Sequence, residues 1–180
     1  MDKVLPTIGI LAVLAIVIGL AVLGWRRRVR RDSPAGGGYS TPGTLSAPVA
    51  EVEALYVATT RGGEHLERLA LPGLSFRGNA TVAVRPEGVS IAVTGEPAVF
   101  VPASVLTGVG VASVAIDRAV ERDGLVRLGW TTSGGTAADS YFRVVDPAGR
   151  AQLIAAVEAT VPRADAPDAA GPSRPNDKEV

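Results

Sequence analysis

The chain has 180 residues, with 18 basic and 18 acidic side chains, one histidine and no cysteine. This length suits one domain with an anchor and tails, because typical domains contain about 100–150 residues. The lack of cysteine excludes disulfides, thiolate nucleophiles and zinc-thiolate sites. Residues 1–31 contain six basic residues and one acidic residue, so they carry +5 and residues 32–180 carry −5.

The first predicted element is an uncharged, apolar segment from Val4 to Trp25. Its 22 residues, at about 1.5 Å each in a helix, match a hydrocarbon core about 30 Å thick. A cleaved signal peptide is the alternative, but it would have an apolar core of about 7–15 residues and a small-residue cleavage site. Here arginines follow instead. We therefore predict that residues 1–31 form a transmembrane anchor with an arginine cluster.

The arginine cluster predicts the orientation of this helix. Positive residues near the ends of a membrane helix favour the cytoplasmic side, and only Lys3 precedes the segment. We therefore expect a single-pass protein of the inner (cell) membrane, with its amino terminus outside and its domain in the cytoplasm. The residues predicted to set the topology and to contact lipid are Trp25, Arg26, Arg27, Arg28, Arg30 and Arg31.

The sequence leaves open whether this segment pairs with another helix in the membrane. Ala15 and Gly19 lie four residues apart and would allow two helices to approach closely, although no strict GxxxG motif occurs. A homo-oligomer through the helix is therefore left open.

Two segments have the composition of unstructured chain. Residues 32–48 are rich in glycine, proline, serine and threonine, which predicts a flexible linker. About 16 such residues span roughly 20–25 Å, enough to hold a domain just off the bilayer. Residues 162–180 are polar and rich in proline, which predicts a disordered tail.

Between them, residues 49–161 are predicted to form a domain made mainly of β-strands. Short stretches of alternating hydrophobicity are separated by glycine and proline. In one stretch Val89, Ile91 and Val93 share a face, as a half-buried antiparallel strand requires. The predicted strands are 54–60, 65–71, 81–85, 89–94, 98–101, 108–116, 125–131 and 139–145.

The last predicted element of the domain is an amphipathic helix. Asp146 can cap its amino terminus, Pro147 suits its first position, and Pro162 ends it. Leu153 and Val157 lie on the apolar stripe, which needs a β surface to cover it. Such strands followed by one helix favour a small bent sandwich or an open barrel that the helix closes.

This order of elements resembles a pleckstrin-homology-like (PH-like) domain, in which about seven strands form two near-orthogonal sheets and a carboxy-terminal helix closes one end. The stretches VFVPASVLTGVGV (residues 99–111) and YFRVVDPAGRAQLIAAV (residues 141–157), together with the anchor, are similar to an actinobacterial family of membrane-anchored PH-like proteins. The resemblance covers most of residues 1–161. It implies the fold, and it implies no established biochemical activity.

No catalytic, cofactor or metal site is predicted. His65 is the only histidine, so it lacks the partners that a metal site needs. A nucleophilic serine such as Ser133 would depend on that same His65, because residues 49–161 contain no lysine. The stretch GVGVAS at residues 108–113 has no helix after it, which favours a glycine-containing strand over a dinucleotide-binding loop. We expect no enzyme activity, no cofactor and no small-molecule substrate.

Charge and surface pattern favour a protein partner. Residues 49–161 hold nine arginines and twelve acidic residues, which disfavours nucleic acid and phosphoinositides. We predict a cytoplasmic interaction or scaffold module that binds a protein partner beside the lipid bilayer. The alternation in residues 141–144 makes Tyr141 and Arg143 a candidate partner surface, or else ordinary solvated side chains. The alternative function is an accessory subunit of a transport or export complex, in which the domain could also lie outside the cytoplasm.

Overall fold

The computed structural model describes residues 4–112, 114–115, 118–119 and 124–162. In chain order its helices and strands are α1 Val4–Asp32, β1 Ala50–Arg61, β2 Glu64–Arg68, β3 Gly78–Arg85, β4 Gly88–Val93, β5 Val99–Pro102, β6 Leu106–Ala112, β7 Val114–Ala115, β8 Arg118–Ala119, β9 Leu125–Thr131, β10 Ala137–Arg143 and α2 Pro147–Thr160. Short 3-10 turns occupy Ser33–Ala35 and Ala103–Val105. The predicted order of an apolar helix, a set of strands and one terminal helix is confirmed.

Helix α1 is apolar on every side along residues 4–25, and its last two turns carry five arginines. The most apolar 18-residue window of the stretch Thr7–Ala35 has a mean hydropathy of 2.7, and none of this window is buried within the protein. Large side chains along it, such as Ile10 and Leu20, are more than half exposed. A fully exposed apolar helix is stable in a bilayer and unfavourable in water. α1 is therefore long and apolar enough to cross a membrane.

Strand β1 joins the two halves of the sheet because it is twelve residues long and pairs on both sides. Its first half pairs with β3, from Ala50 opposite Val84 to Tyr56 opposite Gly78. Its second half pairs with β10, ending at Arg61 opposite Ala138, after a register shift between Tyr56 and Ala58. Such a bulge bends a strand and increases its twist. The resulting antiparallel sheet has the order β5-β4-β3-β1-β10-β9-β6, with β2 also paired to β1.

The core lies where the sheet is covered by α2. Val89, Ile91 and Val93 of β4 are at most 3 % exposed, whereas Ala92 between them is exposed, which confirms the alternation in this strand. Trp130 of β9 is fully buried in the same core. Leu153 and Val157 of α2 pack into this core, as do the apolar side chains of β3, β9 and β10.

The start of α2 follows the predicted capping pattern. Asp146 accepts hydrogen bonds from the backbone N–H groups of Ala148, at 3.2 Å, and Gly149, at 2.9 Å, and Pro147 occupies the first turn. These bonds satisfy amide groups that have no partner within the helix. The cap fixes where α2 begins, directly after β10, so its apolar stripe meets the sheet.

The segment between α1 and β1 differs from the flexible linker that composition predicts. The Tyr39 backbone N–H donates to Phe100 O at 2.8 Å on the edge of β5, and Tyr39 Oη lies 3.0 Å from the backbone oxygens of both Thr131 and Thr132. A Cβ atom on Gly38 would lie 2.3 Å from Val99 Cγ1. Position 38 therefore needs glycine, because a larger side chain would clash with Val99. The glycine-rich composition that predicts a flexible linker also permits this close contact. Residues 33–39 are held against the domain.

Candidate functional site

Four of the arginines predicted to contact lipid are exposed. Arg26, Arg27, Arg30 and Arg31 lie on the last two turns of α1 with their side chains accessible, and the side chain of Arg28 is outside the described set. Trp25, at the end of the apolar run, is 49 % exposed. Their order along α1 places a band of positive charge directly after the apolar surface, and their contact with lipid stays a prediction.

The end of α1 is docked on the domain by three contacts. The Asp32 carboxylate is buried and accepts a hydrogen bond from the Ala70 backbone N–H at 3.0 Å. Arg31 pairs with Asp32 at 2.9 Å and lies 4.0 Å from Glu67 of β2. The Trp25 ring stacks on Phe76, with 6.3 Å between ring centroids and 24° between planes. Sequence reasoning missed this docking, because no local pattern links Asp32 or Trp25 to residues about 40–50 positions away.

The end of the β1–β2 hairpin beside this junction carries two glutamates, Glu64 and Glu67, and two arginines, Arg61 and Arg68. Arg61 and Glu67 form an ion pair at 3.1 Å. A hydrogen bond with Glu67, and then the charge of Glu67, raise the pKa of Glu64, while that hydrogen bond and the one from Arg61 lower the pKa of Glu67. The two carboxyl groups therefore compete for one proton, which Glu64 holds first as pH falls. Because Arg61 and Arg68 balance the two glutamates, the end of this hairpin carries no formal net charge.

Tyr141 does not lie on the exposed surface that the alternation suggests. Its side chain is fully buried on the sheet face opposite the main core, where it packs in a small cluster with Leu125 and Val57, and its hydroxyl is hydrogen-bonded to Nδ1 of the exposed His65 at 3.0 Å. Burial raises the pKa of Tyr141. Tyr141 packs against Leu125, Val57 and Ala112, and His65 of β2 reaches its hydroxyl, contacts that strand alternation alone does not reveal.

Arg143 is exposed and lies in an open groove. It stands opposite Leu55 in the β1–β10 register, and Leu55 stands opposite Asn79 of β3, so the three form a row across the sheet. The groove has a volume of about 510 Å³ and also includes Val145, which is 85 % exposed. Of the two residues predicted as a partner surface, the structure thus leaves Arg143 accessible and Tyr141 inaccessible.

The two edges of the sheet differ. The backbone of Phe100 on the β5 edge is bridged to Tyr39. β6 pairs with β9 on one side, and no described residue pairs with its other side. Thr107 and Val111 of β6 are exposed, and a Cβ atom on Gly108 or Gly110 would meet no atom within 4 Å. Val109 of the same strand lies beside Leu153 and Val157 of α2 around a small apolar gap. Among the described residues, β6 therefore has one unpaired edge, next to the terminal helix.

No described residues make a metal centre. Among residues 4–112, 114–115, 118–119 and 124–162, no group of three or more histidine, aspartate and glutamate side chains could hold a metal ion. His65 and Ser133 lie apart, since His65 is bonded to Tyr141 and Ser133 Oγ accepts a hydrogen bond from the Gly37 backbone N–H.

No curated protein matches the sequence. A chain of the solved structure "The 8S snRNP Assembly Intermediate" has a TM-score of 0.41 and 14 % identity, over 77 % of this chain and 97 % of that chain, and such a distant likeness carries no functional argument. The family model described as "Bacterial PH domain-like" matches residues 36–158, from the glycines after α1 to the last turn of α2.

Proposed function

Because the chain belongs to the bacterial PH domain-like family, whose domains are generally binding modules, we propose that it is a non-catalytic, membrane-anchored module that binds a protein partner at the inner face of the cell membrane. Helix α1 provides the anchor, since residues 4–25 are apolar on every side and the last two turns of the helix carry arginines. The PH-like domain provides the binding surface.

The open edge of β6 is the observation that carries this proposal. An unpaired edge presents backbone N–H and C=O groups that an extended peptide can bind as an additional strand. Two glycines leave free space above the strand, and α2 provides an apolar wall beside it. An extended segment of a partner protein, with apolar side chains at alternate positions, fits this combination of hydrogen-bonding groups and apolar surface.

Site-specific photo-crosslinking tests the binding surface. A benzoylphenylalanine replaces Val111 on the β6 edge, Val145 in the groove beside Arg143, or Ala92, an exposed residue of β4 that serves as the control. We expect a discrete crosslinked protein in native membranes from position 111 and none from position 92. Crosslinking from position 145 alone would move the partner site to the Arg143 groove. Equal, diffuse crosslinking at all three positions would contradict a specific partner.

The cytoplasmic position of the domain is part of the proposal and needs its own test. The cluster of arginines after α1 supports it through the positive-inside bias. A fluorescent-protein fusion after residue 162 should fluoresce, and an alkaline-phosphatase fusion at the same position should be inactive. The reverse result would instead support an accessory subunit of an export complex with its domain outside the cytoplasm.

A further inference from the structure

The end of α1 runs alongside the β2–β3 loop, residues 69–77, instead of leading away from the domain. Asp32 bonds to Ala70 at one end of this loop, and Trp25 stacks on Phe76 near the other end. The contacts fix the loop against two turns of the helix. The domain is thereby held at a defined height along α1.

That height can be estimated from helix geometry. Seven residues separate Trp25 from Asp32, which is about 10 Å along the axis. The headgroup region of one leaflet is roughly 5–8 Å thick, given a 30 Å core in a bilayer of 40–45 Å. With Trp25 at the end of the hydrocarbon core, Asp32 lies at the outer surface of the headgroups. Phe76, in ring contact with Trp25, lies at the boundary between hydrocarbon and headgroups.

The β2–β3 loop presents Phe76 from an ordered base. Leu71 and Leu74 are fully buried, the Leu74 N–H donates to Leu71 O at 3.0 Å, and Arg68 donates to Ser75 O at 3.0 Å. Phe76 itself is 55 % exposed. An exposed aromatic ring on an ordered loop, beside a tryptophan, has the arrangement of an interfacial anchor.

The charges around Phe76 suit an anionic lipid surface. Arg77, the next residue, is exposed, and Arg26, Arg27 and Arg30 are exposed on the neighbouring helix. Basic side chains next to apolar ones are attracted to the negative cytoplasmic leaflet. Of the two acidic residues at the junction, Asp32 is buried and paired with Arg31, and Glu67 is paired with Arg61 and lies near Arg31, which reduces their repulsion of anionic lipid.

We infer that the β2–β3 loop is a second membrane contact, in which the Phe76 ring inserts at the lipid interface beside Trp25 and Arg77 contacts anionic headgroups. This inference rests on the proposed membrane anchoring through α1. It places the domain directly on the bilayer, in a fixed orientation, and not at the end of a linker.

Depth-dependent fluorescence quenching tests the contact in the full chain. The sequence has no cysteine, so Phe76→Cys, Val145→Cys and Ile16→Cys each give a single labelling site for nitrobenzoxadiazole. The proteins are reconstituted into vesicles of phosphatidylcholine and phosphatidylglycerol that carry nitroxides either near the headgroup or deep in the acyl chain. Val145 is the control because it is exposed and lies beyond the carboxy-terminal end of β10. The other end of β10 follows the β9–β10 turn, where Gly134 lies against Pro34 just after α1, so Val145 is on the side of the domain remote from the helix.

We expect shallow nitroxides to quench the label at position 76, deep nitroxides to quench it at position 16, and neither to quench it at position 145. A label at 76 that is as unquenched as the label at 145, with position 16 still quenched, overturns the loop contact and leaves the anchor intact. An unquenched label at 16 overturns the anchor as well.

A second pair of variants separates insertion of Phe76 from simple proximity. A label on Arg77→Cys is compared in chains with Phe76 and with Phe76→Ser. If Phe76 inserts, the serine variant loses the shallow quenching at position 77. Unchanged quenching shows that the loop is near the membrane without insertion and contradicts the inference.

Discussion

At the scale of single residues, a buried network of hydrogen-bonded side chains crosses the core. Tyr56 Oη lies 2.9 Å from Thr59 Oγ1, which is 2.7 Å from Ser140 Oγ, and Trp130 Nε1 donates to that same Ser140 oxygen at 3.0 Å. Each polar group in this network thus has a hydrogen-bond partner, which buried polar groups need. The network links β1 to β10 and β9.

Ser140→Ala should destabilise the domain by about 1–3 kcal/mol, because it leaves the buried Trp130 N–H and Thr59 hydroxyl without this partner. Denaturant unfolding of the full chain in detergent, followed by circular dichroism of the sheet, measures the loss. Ser104→Ala, at an exposed serine, is the control and should change stability by less than about 0.5 kcal/mol. Equal effects of the two variants would mean that the hydrogen-bond network contributes nothing to the free energy of unfolding.

High pH should weaken the fold through the buried tyrosines. Burial raises the pKa of both Tyr56 and Tyr141. The folded protein therefore keeps their protons at a pH where the unfolded chain, with tyrosine pKa values of about 10, releases them. Stability should be constant below pH about 10 and fall above it.

Measuring the free energy of unfolding at several pH values below and above about 10 tests this predicted fall in stability. Tyr141→Phe is the matched variant. This variant should keep the fold and show a shallower decline, since Phe has no proton to lose. A decline that is just as steep in Tyr141→Phe would exclude a contribution from Tyr141.

At the scale of elements, the glycines after α1 decide whether residues 33–39 stay on the domain. Gly38→Ala places a methyl group where Val99 Cγ1 now lies, and it should push the segment off the edge of β5. Overpacking of this kind costs about 1–3 kcal/mol. Hydrogen exchange of the Tyr39 amide, which donates to Phe100 O, should become faster.

Gly43→Ala is the matched control for Gly38→Ala. A Cβ atom at Gly43 would meet nothing within 4 Å, so this variant should leave the exchange of the Tyr39 amide unchanged. If Gly38→Ala also leaves it unchanged, the contact with Val99 does not hold the segment in place.

Elements with a local physical signal could be predicted from sequence, and long-range contacts could not. Asp146 and Pro147 predict the start of α2, and the alternation of Val89, Ile91 and Val93 predicts β4, because caps and pleats are properties of neighbouring residues. In the candidate site, four arginines of α1 and Arg143 are exposed, and their contacts with lipid or a partner stay predictions. The burial of Tyr141 depends on residues of other strands, and the docking of Trp25 depends on Phe76, so neither has a signal in its own segment.

At the scale of the whole molecule, one buried carboxylate couples the helix to the domain. Asp32→Ala removes the acceptor for the Ala70 N–H and the ion pair with Arg31, and it should let the domain move relative to α1. Electron paramagnetic resonance between spin labels on Arg27→Cys and Val145→Cys should give a narrow distance distribution in the parent and a broad one in Asp32→Ala.

Asp32→Asn is the control for this measurement, because its amide oxygen can still accept from Ala70. A narrow distribution in Asp32→Ala would show that the other junction contacts, including the stack of Trp25 on Phe76, fix the domain without Asp32.

The shared strand β1 has a consequence for the order in which the protein folds. Its second half must wait for β10, and the bonded pair Thr59 and Ser140 is separated by 81 positions. At a synthesis rate of about 5–20 residues per second, roughly 4–16 s pass between the two. Helix α1 leaves the ribosome first, so the sheet closes on a chain whose start is already able to enter the bilayer. A ribosome that stalls before β10 would leave the second half of β1 without its main partner, at the membrane, as a template for aggregation.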